Sequence, residues 1–392
     1  MKSQYNKTIT ACFVGYIVQA IVNNFTPLLF LFFQKCYHIP ISQITLLVTF
    51  NFGIQLLVDF LSVRFVDKIG YRISMIIAHV LAAAGLFLLT VLPEILPVSF
   101  IGILIAVMIY AVGGGLLEVL VSPVVEAFPS DNKEKAMSLL HSFYCWGAVG
   151  TILVSTIFFA VFGIDSWKWL AVLLALIPTV NIYNFATCPI EYLVDEDEGM
   201  GISALFKTPL FWIAIILMVC SGASELSMAQ WASAYAEAAL GLSKTMGDLL
   251  GPCLFAVSMG ISRILYGKYG EKVDLSKFML GSGALCVVCY VLASLFLNPV
   301  VGLTGCILCG FSVGIMWPGT LSISSKKFPA GGTAMFALLA MAGDLGGSIG
   351  PGIVGRVTQM AGDNIRSGML VGLIFPVVMV IGLLFFDKIK SR

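Results

Sequence analysis

Charge is what this chain has least of. Only 11% of its 392 residues are Asp, Glu, Lys or Arg, and histidine occurs three times. A soluble domain is about 25% charged and about 45–50% apolar, whereas here the apolar share is 59% and the mean hydropathy +0.99. Those values exclude a water-soluble globule. A net charge of +1 with scattered basic residues leaves no footprint for nucleic acid. No nucleophile–base pair, nucleotide-binding loop or metal-ligand cluster stands out, so an enzyme is not expected, nor any cofactor or metal. The first apolar run, about 9–33, is too long for a signal-peptide core and lacks a small-residue cleavage site. No cleavable leader is expected.

Long apolar runs are what the chain does have. At about 20 residues per crossing, twelve membrane helices are expected, at about 9–33, 42–62, 73–93, 98–125, 137–161, 167–186, 209–238, 245–266, 277–296, 299–324, 332–355 and 367–386. The runs are continuous and do not alternate, which points to helices and away from barrel strands. The fold class is therefore an all-α membrane protein. An even number of crossings puts both termini on one side. Of the 22 Lys and Arg, Lys35, Lys168, Lys244, Arg356 and Arg366 fall opposite the termini, leaving 17 on the terminal side. The positive-inside bias makes both termini cytoplasmic, in a plasma membrane of the bacterial cytoplasmic type.

Ten cysteines sit almost entirely inside the apolar runs. Cys286-x-x-Cys289 and Cys306-x-x-Cys309 have zinc-ribbon spacing, but each pair falls within an expected membrane helix and not in the turns such a site needs. Helix packing is the expected role. Trp167 and Trp169, at a span end, are expected as interface anchors.

One polar interruption, about 188–207, contains Glu191, Asp195, Glu196, Asp197 and Glu198 and leaves six spans on either side. The expected organisation is a bundle over 1–187, a cytoplasmic acidic linker over 188–207 and a second bundle over 208–392. The halves repeat. Asp67-Lys68-Ile-Gly70-Tyr-Arg72 follows the second span, and Gly267-Lys-Tyr-Gly-Glu271-Lys272-Val-Asp274 follows the eighth. Pairing 67 with 271 gives an offset of 204, which also pairs Asp59 with Arg263. Such a period implies two six-helix bundles related by an axis along the membrane normal.

The paired turns resemble the loop motif of the major facilitator superfamily, Gly-x-x-x-Asp-Arg/Lys-x-Gly-x-Arg/Lys. The first copy has Val63 for the leading Gly, and the second has Asp274 for the inner Gly. The resemblance implies twelve helices in two pseudo-symmetric six-helix bundles. It also implies a gating role for Asp67, Lys68, Gly70, Arg72, Gly267, Glu271 and Lys272, whose acids and bases sit at helix ends able to latch and release, and for Asp59 and Arg263, which lie deeper and are expected to pair across the bundle interface or with neighbouring helices. Exposed salt bridges are worth about 0–1 kcal/mol, which suits a latch that has to open.

Within that superfamily, the stretch from Gly113 to Gly150 resembles the fucose permease, or fucose–proton symporter, branch. The matches are Leu117-Glu118 and Pro123 in the fourth span, with Ser122 in place of Asn, and Leu139, His141, Phe143, Gly147 and Ala148 in the fifth. Asn23-Asn24-Phe25 is similar to the branch's Asn-Asn-Leu, and Pro27 stands where sugar-transporting members carry Asp. The branch implies a proton-coupled sugar symporter; the missing acid leaves substrate and coupling mode open.

Polar residues inside the spans are the candidate cavity lining. An intramembrane carboxylate costs roughly 2.5 kcal/mol or more, so Glu118 is expected to face a partner or a wet chamber. Glu118 is the candidate proton-carrying group, and His141 the candidate for sharing or relaying the proton. Substrate-binding candidates are Gln19, Asn23, Asn24, Ser122, Tyr144, Glu225, Gln230, Trp231, Tyr235, Trp317 and Asp344, with Ser224 and Ser227 on the same stripe as Trp231. Amides and carboxylates hydrogen-bond hydroxyls while aromatic faces stack on C–H groups, a set suited to a small polyhydroxylated solute. Trp317-Pro318 is expected to break the tenth span. The expected function is alternating-access uptake of such a solute with a proton, by a monomer in the bilayer. The alternative is an efflux carrier for amphipathic compounds or metabolites, supported by the missing first-span acid and a Met-rich interior. A membrane nutrient sensor with a carrier fold is a third reading, and would need a signalling tail.

Overall fold

A computed structural model describes residues 6–39, 41–128, 133–191, 200–240, 249–362 and 364–388. Among them are helices and connections, with no strand. The first half holds α1 (Asn6–Asn24), α2 (Phe30–Cys36), α3 (Ile41–Ile69), α4 (Tyr71–Ile95), α5 (Ser99–Glu126), α6 (Lys133–Phe162) and α7 (Trp167–Thr187). The second holds α8 (Ile202–Lys207), α9 (Pro209–Leu240), α10 (Leu254–Tyr269), α11 (Leu275–Leu295), α12 (Pro299–Val313), α13 (Met316–Lys327), α14 (Gly332–Met360), α15 (Ile365–Gly372) and α16 (Ile374–Lys388).

Eleven helical segments among the described residues are long and apolar enough to cross a membrane. The 29-residue α3 fills the remaining expected position; at about 1.5 Å per residue it exceeds a hydrocarbon core of about 30 Å. Apolar side chains also lie on the outer surface of these helices, among them Phe60, Phe87, Ile157, Val180, Trp212 and Phe385. In water such a surface would be costly; in lipid it is the solvated face.

Three expected spans are interrupted. The first breaks after Asn24 into a 3-10 turn, Thr26–Leu29, that carries Pro27 in its first turn. The tenth breaks at Gly314–Ile315, upstream of Pro318 and not at it. A proline has no amide to bond the carbonyl four residues earlier and its ring crowds that carbonyl, so the disturbance appears one turn before the residue that causes it. The last span is interrupted between Gly372 and Ile374. The polar connection is not all loop, since α8 falls within it and Met200 N–H bonds Ala330 O at 2.7 Å. Its acidic residues Asp195–Glu198 lie outside the described residues. Trp167 is not an interface anchor: it is 1% exposed and packs edge-on against Phe33, while Trp169 is 72% exposed.

The chain divides into two compact units, 1–131 with 146–198, and 132–145 with 199–392. In the first, α5 packs against α1, α3 and α4, and α4 also against α7. Glycine permits the α4–α5 approach: a Cβ at Gly113 would stand 2.5 Å from Ala78 O. His79 lies fully buried in this core, its Nδ1 against Met75 O at 2.7 Å and its Nε2 against Asn181 Nδ2 at 2.8 Å. In the second unit, α9 packs against α14, α12 and α16, and α11 against α12, α15 and α16. Cys286 and Cys309 meet there, Sγ to Sγ 3.7 Å, both buried.

Candidate functional site

In the first unit, α1 presents Gln19 and Asn23 one turn apart, because residues four apart share a helix face. Gln19 Nε2 donates to Glu118 Oε2 on α5 at 2.8 Å. Asn23 Oδ1 accepts from Asn51 Nδ2 at 3.1 Å and from Gln55 Nε2 at 2.9 Å, both on α3. Ser122 Oγ lies 2.9 Å from the hydroxyl of Tyr16, and Tyr110 OH donates to Thr26 Oγ1 at 2.7 Å. Asn24 turns back on its own helix, donating to Ala20 O at 2.8 Å.

Asn51 and Gln55 are absent from the sequence candidates, although their spacing is visible there. With Asp59 they form an i, i+4, i+8 row of polar residues in an apolar helix, and all three are buried. Where the first helix breaks, a cavity of about 30 Å³ is bordered by Asn23, Thr26, Asn51 and Tyr110, with Pro27, Phe30 and Leu47 on its apolar side.

In the second unit the focus is Arg263 on α10, 3% exposed. Its Nε donates to Gly314 O at 2.7 Å, and its Nη1 to His141 O at 2.9 Å and to Cys145 Sγ at 3.0 Å. Its Nη2 lies 3.6 Å from Glu225 Oε2 on α9. Glu225 is thus a carboxylate partner of Arg263 within this unit. The same helix contact includes Ser138 Oγ donating to Arg263 O at 2.8 Å and Gly267 against Leu139. His141 itself is buried in this unit, while Glu118 belongs to the other.

The second-unit aromatics are placed mainly by packing. Tyr235 is fully buried against Gly302 of α12, Trp231 lies on Gly355 with its Nε1 3.3 Å from Pro351 O, and Trp317 lies on Gly343 beside Asp344. Ser224 and Ser227 are buried, and Tyr290 OH donates to Ser224 O at 2.8 Å. Tyr144 and Asp344 are half-buried, and Gln230 is exposed.

Of the turn residues, Gly70 has φ +86° and ψ 147° at the start of α4. Arg72 donates to Phe185 O and Ala186 O at 2.9 and 3.0 Å, closing the carbonyl end of α7. Lys68 and Lys272 are exposed. The side chains of Asp67 and Glu271 lie outside the described residues.

The sequence that builds these helices also matches a family model. The Major Facilitator Superfamily model covers residues 11–351, and the chain belongs to that superfamily. It is a membrane transporter of the twelve-helix class. The chain is similar over 99 residues to the glucose/mannose transporter GlcP of Bacillus subtilis, at 30% identity. That match takes in 24% of this chain and spans about a quarter of the relative's length, 25%. Among solved structures, the transporter FucP in its outward conformation superposes with a TM-score of 0.83 at 17% identity, covering 98% of this chain and all of that one. The proton:xylose symporter XylE bound to 6-bromo-6-deoxy-D-glucose gives 0.82 at 13% identity, covering 98% and 96%. The human organic anion transporter MFSD10 gives 0.76 at 14%, covering 97% and 100%. At these identities the structures establish the shared fold.

Proposed function

We propose that the protein takes up a sugar or similar small polyhydroxylated solute together with a proton, by alternating access across a bacterial cytoplasmic membrane. In this reading residues 1–187 and 208–392 are the two moving bundles, 188–207 links them, and both termini are cytoplasmic. The observation that carries it is the carboxylate of Glu118 held by Gln19 at 2.8 Å, one helical turn along α1 from the amide group Asn23–Asn51–Gln55. An intramembrane carboxylate is a functional residue by default. Protonated Glu118 can donate to a solute hydroxyl, whereas ionised Glu118 can only accept, so solute affinity and proton occupancy are linked. The names of GlcP and XylE support a sugar as the solute.

Two assays on purified protein in liposomes test the reading. Wild-type protein is expected to accumulate labelled D-glucose or D-mannose when the outside is acidified. Glu118→Gln is expected to keep solute counterflow and lose accumulation driven by the pH gradient. Accumulation by Glu118→Gln at the wild-type level rejects the proton role. Failure of the wild type to move any neutral sugar rejects the solute class, and drug resistance conferred on cells in its place supports export.

A further inference from the structure

We infer that Asn51 and Gln55 of α3 determine specificity, by presenting hydrogen-bond acceptors to a hydroxyl of the transported solute. The inference rests on the proposed uptake of a hydroxylated solute and assigns it two further residues.

The orientation of the amides carries it. Gln55 Nε2 lies 2.9 Å from Asn23 Oδ1 and 3.4 Å from the main-chain carbonyl of Asn51. Reversing that amide would set oxygen against oxygen at the main-chain carbonyl. Gln55 is therefore the donor, Asn23 Oδ1 the acceptor, and Asn51, bonded to the same oxygen at 3.1 Å, a donor as well. Both side chains direct an N–H group to Asn23 Oδ1, Gln55 a second one to Asn51 O, and both keep their carbonyl oxygens for something else. Asn51 Oδ1 and Gln55 Oε1 are buried and have no hydrogen-bond partner among the described residues, and Gln19 Oε1 is in the same condition. The three side chains are 5%, 1% and 3% exposed.

Buried acceptors without donors are rare, because each one forfeits its bonds to water. Two on successive turns of α3, Asn51 and Gln55, both turned from the amide of Asn23 that takes their N–H groups, describe a place that receives donors. The cavity of about 30 Å³ bordered by Asn51, Asn23 and Thr26 has room for one water-sized group. One hydroxyl at the edge of a larger solute has that size. Neutral carbonyl acceptors favour a hydroxyl and oppose a carboxylate or phosphate, which brings only lone pairs.

The test measures uptake of labelled D-glucose in proteoliposomes, competed by the monodeoxy-glucose series. It compares wild type with Asn51→Leu and Gln55→Met. One deoxy analogue is expected to compete about 10-fold less well than glucose in the wild type, the size of one lost hydrogen bond. In the variants the KM for glucose is expected to rise by about the same factor with kcat changed much less, and the penalty for that analogue to vanish. If Asn51→Leu does not fold, Asn51→Thr carries the same expectation. A variant that weakens every deoxy analogue equally, or lowers only kcat and the unfolding midpoint, overturns the inference while leaving sugar uptake standing. So does a sodium requirement lost in Asn51→Leu, which would assign these oxygens to a cation. Absence of wild-type uptake of any neutral sugar overturns both readings.

Discussion

Arg263 donates through Nε to the carbonyl oxygen of Gly314 at 2.7 Å, and Pro318 is what makes that oxygen available. In an unbroken helix residue 318 would return its amide to Gly314; proline has none. The break in the tenth span therefore creates an acceptor for the guanidinium of the eighth. With His141 O, Cys145 Sγ and Glu225 among its further partners, the buried cation is surrounded by groups it can bond.

Removing the cation alone is expected to be worse than removing the pair. Arg263→Met leaves Glu225 buried without its counter-charge, a loss of about 3 kcal/mol or more. Arg263→Met combined with Glu225→Gln is expected to recover much of that loss, because no buried charge is stranded. Unfolding midpoints in detergent across the four proteins of the cycle measure the coupling. Additive midpoint changes would mean the 3.6 Å pair carries no energy.

Gly70 opens α4 at φ +86°, ψ 147°, a region side chains with a Cβ rarely enter. Gly70→Ala is expected to cost about 1–3 kcal/mol. Gly201, at φ −66° with nothing within 4 Å of an added methyl, is the matched control. Gly201→Ala is expected to be neutral or slightly stabilising, since it only restricts the unfolded chain. Equal effects at the two sites would remove backbone strain as the reason for glycine in the first turn motif.

The α9–α14 crossing supplies a second paired test, this one of packing. A Cβ at Gly346 would come 2.0 Å from Val219 O, whereas one at Gly352, on the same helix, meets nothing within 4 Å. Gly346→Ala is expected to destabilise by about 1–3 kcal/mol through overpacking. Gly352→Ala is expected to stabilise by up to about 1 kcal/mol through helix propensity. Thermal unfolding of both variants separates crowding from propensity, and a stable Gly346→Ala would show the crossing to be loose.

The spans are legible in the sequence because a lipid-facing helix has to be apolar around its outside and hydrogen-bonded within itself, and both demands are written in single residues. Glu118 and Arg263 are legible for the same reason, as costly charges in apolar surroundings. Their partners are not. Gln19 meets Glu118 and Glu225 meets Arg263 only once separate helices are packed, and no local spacing encodes that. Asn51 and Gln55 stand between the two cases: a polar row at helical spacing is on view in the third helix, but its charged member, Asp59, is the one that stands out. Pro318 reads as a break, but the displacement of that break to Gly314 follows from the four-residue reach of the helix bond, a geometric consequence of the proline.

Trp231 and Tyr235 are solute-contact candidates by sequence, and their surroundings favour packing. Trp231 Nε1 reaches Pro351 O at 3.3 Å with its ring on Gly355, and Tyr235 is fully buried against Gly302. Trp231→Phe is expected to lose the indole hydrogen bond and some ring contact, a destabilisation of about 1 kcal/mol. Because the ring then acts on the bundle and not on the solute, KM for each member of a sugar panel is expected to keep its ranking, with any loss spread evenly. Sugar competition and unfolding midpoints taken together decide the matter. An unchanged midpoint with a raised KM for one sugar would put the indole in contact with that solute.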